Sequence, residues 1–229
     1  MIKSSPPHAG LAFTLIELLV VIAGIAIILG IAVPSLNSAF ERSKATKDMS
    51  NLRQIGTATQ MYMNDNNGVF PGSTNTTWML QLNQKYLSTW RVLESPFDKR
   101  PTSETGGATT AISYGINSNV YSGGAAISAD KVTKPTVFIV FGPAQASATT
   151  VNFQGVGNSA NPGVQVVGAL STPPGTNAQG GTHSNRAKIN AMCADWHVES
   201  MLWSGTGPAF TNATATGNDP DGYLRWNPL

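Results

Sequence analysis

Between Phe13 and Val33 the chain runs through about 21 residues of which only Thr14 and Glu17 are polar. As a helix rising ~1.5 Å per residue the run is ~32 Å long, close to the ~30 Å hydrocarbon thickness of a bilayer. Leu, Ile, Val and Phe fill fourteen of its positions. At roughly −0.3 to −0.6 kcal/mol each, insertion gains about 4 to 8 kcal/mol. A carboxylate near the centre of a span returns about 3 kcal/mol, and Glu17 lies near one end, where the cost is smaller. Insertion wins.

Glu17 is the anomaly. A core helix or a secretory signal has no use for an acid this early in its apolar run, and an ionisable group inside a span asks for a partner. The bland alternative is a side chain that snorkels to the interface. A free α-amine, charged near neutral pH, is a suitable partner if an adjacent helix supplies it. Two embedded charges then satisfy each other, where each alone costs several kcal/mol. Such a pair favours one axial offset, as a buried polar residue fixes register in a coiled coil. Ala23, Ala26 and Gly30 suit close helix approach, or are simply tolerated as small residues in a span.

The stretch Phe13-Thr-Leu-Ile-Glu17-Leu-Leu-Val-Val-Ile, after a short polar leader and before Pro34, resembles the processing and methylation motif of type IV prepilins and type II secretion pseudopilins. The resemblance implies a leader over residues 1–12, cut by a prepilin peptidase between Ala12 and Phe13. Phe13 is then N-methylated, and Glu17 contacts a neighbour's terminus during assembly. It also implies a homo- or hetero-oligomeric filament, an inner-membrane assembly platform as partner, and a structural rather than enzymatic role. The location implied is the bacterial inner membrane, single-pass with the head in the periplasm, and then a filament. Ala12 stands where the family usually has Gly. Lys3 precedes the span, whereas Arg42, Lys44, Lys47 and Arg53 follow it, so the positive-inside rule alone places the body in the cytoplasm. The resemblance implies the opposite topology. An ordinary secretory signal cut near Ser38-Ala39 is the rival reading, disfavoured by Glu17 and by the length of the run.

Past Pro34, which removes one backbone donor without ending a helix, apolar residues recur at helical spacing. Ala45, Met49, Leu52, Gly56, Thr59 and Met63 form a stripe widened by Ile55 and Tyr62, opposite Arg42, Lys44, Lys47, Asp48, Arg53 and Gln54. The stripe calls for a sheet to cover it. A helix over residues 13–64 should stop in the cluster Asn64-Asp-Asn-Asn-Gly68. Residues 65–229 are then a globular head, and the fold class is α+β: a long N-terminal helix on a mainly antiparallel sheet with long loops. Thr77 is placed to cap a second helix, Trp78 to Leu87. Strands are expected at Ile112–Asn117 and Thr136–Phe141, with weaker candidates at Val151–Phe153 and Val164–Leu170. Tracts rich in Gly, Ser, Thr and Ala (102–110, 122–129 and 172–182) read as surface loops, as does the tail from Gly217.

The segment Asn51-Leu-Arg-Gln-Ile-Gly56 through Pro71 resembles a pseudopilin branch whose heads carry an H-x9-D-G signature and often paired cysteines. Asp48 and Ser95 occupy the cysteine positions, so packing must supply the rigidity. Lys188 to Trp203 alternates as a hairpin turning near Asp195-Trp196. It resembles the close of that signature, with His183 as its first His, but Trp196 replaces Gly, and a type I′ turn wants positive φ, which Trp resists.

Charged residues make up only 11% of the chain and the formal charge is +2, so nothing argues for nucleic acid. Cys193 is the single cysteine, which removes intramolecular disulfides and four-cysteine zinc sites and leaves a small buried hydrophobe. His183, Asp195 and His197 form the one group resembling a metal or acid/base constellation, but their spacing fits no zinc-ligand pattern, and a structural role in the hairpin is the preferred reading. Asp219 and Asp221 offer oxygens to calcium, but the loop lacks the alternating ligands and closing Glu of an EF-hand, so a solvated turn is the preferred reading. No other cofactor is indicated. A membrane-tethered binding or hydrolytic head, and an adhesive or DNA-capturing minor pilin, are the competing functions.

Overall fold

The computed structural model describes residues 14–72, 78–83, 85–107, 110–122, 125–144, 150–151, 153, 181–202, 221, 224–225 and 228. Helix α1 is a single 51-residue helix, Leu15–Asp65, and it continues through Pro34. It ends one residue past the expected limit, inside the Asn/Asp/Gly cluster. The Gly68 N–H donates to the Met63 carbonyl at 2.8 Å, and Asn67 (φ 55°) and Gly68 (φ 75°) adopt left-handed conformations. This is a Schellman-type stop with Asn in the position that glycine usually takes.

The chain divides into two compact units, residues 1–42 and 43–229. In the first, the helix is long and apolar enough to cross a membrane, and none of its most apolar window is buried. Leu15, Ile16, Ile27, Ile28 and Ile31 are all exposed.

The second unit is the α+β head. Its four-stranded antiparallel sheet comprises β1 (Tyr114–Ile116), β4 (Ile139–Pro143), β5 (Lys188–Cys193) and β6 (Val198–Leu202), in the order β1-β4-β5-β6. A two-stranded ribbon pairs β2 (Tyr121–Ser122) with β3 (Ala125–Ala126). Leu52, Ile55 and Met63 of α1 join Tyr114, Ile116, Val140, Phe141 and Met192 of the sheet in one core. Trp78 and Leu82 of the short helix α2, Trp78–Asn83, close that core, with Trp78 against Phe141 at 4.9 Å between ring centroids.

Four features depart from the sequence reading. First, α2 stops at Asn83, and the N–H groups of Tyr86 and Leu87 both donate to the Leu82 carbonyl, which closes its end in a turn. Second, tract 122–129 contains β3, and Ile127 is buried in the core cluster, with its backbone bonded to Phe70 and Val120. Third, the described part of the tail is docked: Ile139 N–H donates to the Arg225 carbonyl and Thr133 N–H to that of Pro228. Thr77, Val164–Leu170 and most of the tail lie outside the described residues.

The fourth concerns Asp48, which the charge pattern places on the solvent side and which is 2% exposed. Its Oδ1 accepts from Ser95 Oγ at 2.5 Å and from the Tyr114 hydroxyl at 2.6 Å, and its Oδ2 from Asn190 Nδ2 at 2.9 Å. Asn51 Nδ2 extends the network to Tyr114 Oη (3.4 Å) and to the Glu94 carbonyl (2.9 Å). A carboxylate can be buried when donors meet its oxygens, and here they come from the 95–100 loop, β1 and β5. The two positions that carry cysteines in the resembled branch therefore do meet, through a hydrogen bond. The same loop is held by Arg100, which grips Asp98 through Nε and Nη2 and donates from Nη2 to the Ile112 carbonyl at 2.6 Å.

This packing has two measurable consequences. Burial holds the Asp48 carboxyl above its ordinary value of 3.8, against the opposing pull of the Ser95, Tyr114 and Asn190 hydrogen bonds. The folded chain thus keeps this proton better than the unfolded one. Its stabilising effect is complete below 3.8 and is lost as pH rises through the folded value. In detergent-solubilised full chain, the stability difference between wild type and Asp48→Asn should therefore shrink as pH rises. Asp48→Ala, which strands three donors, should lose about 3 kcal/mol or more, and Asp48→Asn about half of that. The second concerns Gly56, where an added Cβ would press into Met192 Sδ on β5. Gly56→Ala gains about 1 kcal/mol of helix propensity, which offsets displacement of the flexible Met side chain. Gly56→Val has no such compensation and should cost about 1–3 kcal/mol in denaturant titration.

Candidate functional site

Among the described residues, two places carry chemistry. The first is the start of α1. Ala12 and Phe13, the residues at the expected cut, lie outside the described residues. Glu17 is described, and its environment is local. The Thr14 N–H and hydroxyl both donate to Glu17 Oε2, at 2.9 and 2.7 Å, and Thr14 Oγ1 accepts from the Glu17 N–H at 3.3 Å. This reciprocal pattern is a capping box, which satisfies backbone donors that the first helical turn leaves open. Sequence reading assigned Glu17 to assembly and overlooked this second role, although Thr-x-x-Glu before an apolar run is its signature. The cap occupies Oε2 only.

The second is the β5–β6 hairpin. Its register runs from Lys188 opposite Leu202 to Met192 opposite Val198, as the alternation required. The Cys193 N–H donates to the His197 carbonyl and the Trp196 N–H to that of Cys193, both at 3.0 Å. Trp196 has φ 71°. The loop is thus a three-residue turn with its left-handed residue last, a position that glycine favours. Trp196 is held there by packing: it is partly buried against the core, and its ring lies 6.5 Å from that of Phe70.

The hairpin separates the three residues grouped by sequence. His183 bridges to Lys188, at the opposite end of β5 from the turn. It is buried, stacked on Phe97 at 5.6 Å, with Nδ1 3.0 Å from Thr182 Oγ1 and Nε2 3.1 Å from Ser200 Oγ. Its surroundings are those of a structural histidine. Asp195 and His197 do pair, with Oδ1 2.5 Å from Nδ1. Beside them the strand alternation places Cys193 and Glu199, so that one ligand atom each from Cys193, His197 and Glu199 falls within 4.8 Å of the others. Burial, reinforced by the Glu199 and Asp195 carboxylates, pushes the Cys193 thiol up to about 12, with Arg225 pulling the other way. Cys193 was legible only as a small apolar residue, because strand pairing, not sequence spacing, supplies its neighbours.

Of the two acids considered for calcium, Asp219 lies outside the described residues. Asp221 pairs with Lys134, Oδ1 to Nζ at 3.0 Å, and its carbonyl accepts from the Arg225 N–H. A cation at Asp221 would compete with that lysine.

A scan of protein-family models, a search of curated proteins and a search of solved structures each give no match to this chain.

Proposed function

We propose that the chain is a pilin-like structural subunit of a type II secretion pseudopilus or type IV pilus. A prepilin peptidase processes it between Ala12 and Phe13, and it assembles through its N-terminal helix. The observation that carries this reading is the single helix Leu15–Asp65, whose first part is apolar and uncovered while its later part is built into the core of an α+β head. Such a helix can be held in a bilayer and then, after extraction, buried against copies of itself, so the apolar surface changes cover without refolding the head. The mechanism is assembly. Glu17 serves it through a charge pair with the terminal amine of a neighbouring subunit, while Thr14 keeps the carboxylate oriented. The head lies in the periplasm before assembly and forms the filament surface afterwards.

The capping box makes this testable with one substitution. Glutamine at position 17 preserves the cap, because it still accepts from the Thr14 N–H, but removes the charge. Glu17→Gln should therefore abolish incorporation into filaments, as Glu17→Val should, with the head's melting temperature unchanged in both. Normal filaments from Glu17→Gln would reduce Glu17 to a helix cap. The mass of the mature N-terminal peptide is the second check. N-methyl-Phe13 is expected, whereas a start near Phe40 means ordinary signal removal. Enzymatic activity from an anchored, unassembled protein favours the tethered-head alternative.

A further inference from the structure

We propose that Cys193, His197 and Glu199 form a zinc-class transition-metal site on the β5–β6 hairpin, with a fourth, solvent-facing position open to water. This goes beyond the assembly role and does not depend on it. Cys193 closes β5, and His197 lies directly across the turn from it, joined by the bond from the Cys193 N–H to the His197 carbonyl. Glu199 lies two residues on, on the same face of β6. The hairpin backbone therefore converges a sulfur, a nitrogen and an oxygen, a donor set suited to zinc and its first-row neighbours rather than to calcium or magnesium.

Three details give the cluster the character of a site. His197 Nδ1 faces Asp195 Oδ1, and a carboxylate only accepts, so the ring proton resides on Nδ1. The lone pair of the neutral ring is then on Nε2, and Nε2 faces Glu199 Oε2 at 4.0 Å. A carboxylate–histidine pair of this kind holds the ring of many metal-bound histidines. Arg225 Nη1 approaches the other oxygen of Glu199, Oε1, at 3.7 Å, which leaves Oε2 directed to the cluster. His197 and Glu199 keep side-chain exposures of 40% and 45%, so a cation has a route in from solvent while Cys193 forms a buried floor. Tetrahedral zinc separates its ligand atoms by about 3.3–3.7 Å, so closure needs about 1 Å of movement by the two exposed side chains. On binding, the Cys193 S–H bond breaks, its proton leaves to solvent, and a sulfur–metal bond replaces it.

The test is a titration of metal-free, detergent-solubilised full chain with cobalt(II), a spectroscopic stand-in for zinc. One equivalent should bind, with a thiolate-to-cobalt charge-transfer band and intense four-coordinate d–d bands, and zinc should displace it. Cys193→Ser should abolish the charge-transfer band. Because that position is buried, two exposed-side variants keep the test independent of folding. Glu199→Gln should weaken binding at least tenfold, and Asp195→Asn, which removes the carboxylate that orients the ring, by about 10–100-fold. Absence of the thiolate band, or binding unchanged in both Glu199→Gln and Asp195→Asn, means an adventitious ion only and overturns the proposal.

Discussion

The head depends on a buried carboxylate. Asp48 lies on α1, yet its three donors come from positions 47, 66 and 142 residues further along the chain. Each donor belongs to a different piece of the head, so one side chain fixes helix, loop and two strands against each other. The arrangement resists partial loosening. Moving any one piece leaves a carboxyl oxygen or a polar donor without its partner in an apolar core, at a cost of about 1–3 kcal/mol. A disulfide at these positions would restrain the chain covalently. The Asp48 network does so by making every other arrangement electrostatically unfavourable, and direction as well as distance is specified.

The first unit obeys the opposite logic. From Leu15 to Val33 its side chains are apolar apart from Glu17, and nearly all of them are exposed. Such a surface does not specify a partner by itself, because lipid tails and helices are nearly equivalent covers for Leu and Ile. Specificity has to come from the few polar groups present. That concentrates the burden on Glu17, one of whose oxygens is committed to the cap. Uniform oiliness at the start of α1 and dense polar satisfaction in its later part are thus two solutions within one helix: the first can exchange its cover, and the second cannot.

The hairpin illustrates how far strain is tolerated when packing compensates. A left-handed conformation at a non-glycine residue costs roughly 1–2 kcal/mol. An indole that removes even half its surface from water recovers a comparable amount. Trp196 therefore occupies a glycine position without disturbing the register of β5 and β6. The same turn brings the cysteine at the end of one strand opposite the histidine at the start of the next.

What sequence by itself determined is local. The membrane-length helix, the Thr14–Glu17 signature, the stop at Asn64–Gly68 and the alternation of β5 and β6 are all written in neighbouring residues. Helical and strand periodicities, caps and turns act over a few positions. The α+β class followed from the amphipathic stripe needing a sheet. Only tertiary structure decided that Asp48 points inward and that Ser95, Tyr114 and Asn190 meet it. It likewise decided that His183 parts from Asp195 and His197, and that Cys193 and Glu199 take its place. Those outcomes depend on pairings between distant segments, and a charge on a helix reads as solvent-facing until the donors that would bury it are placed. Periodicity reports which face is apolar, but whether a polar residue at its edge is buried depends on what the rest of the chain brings to it.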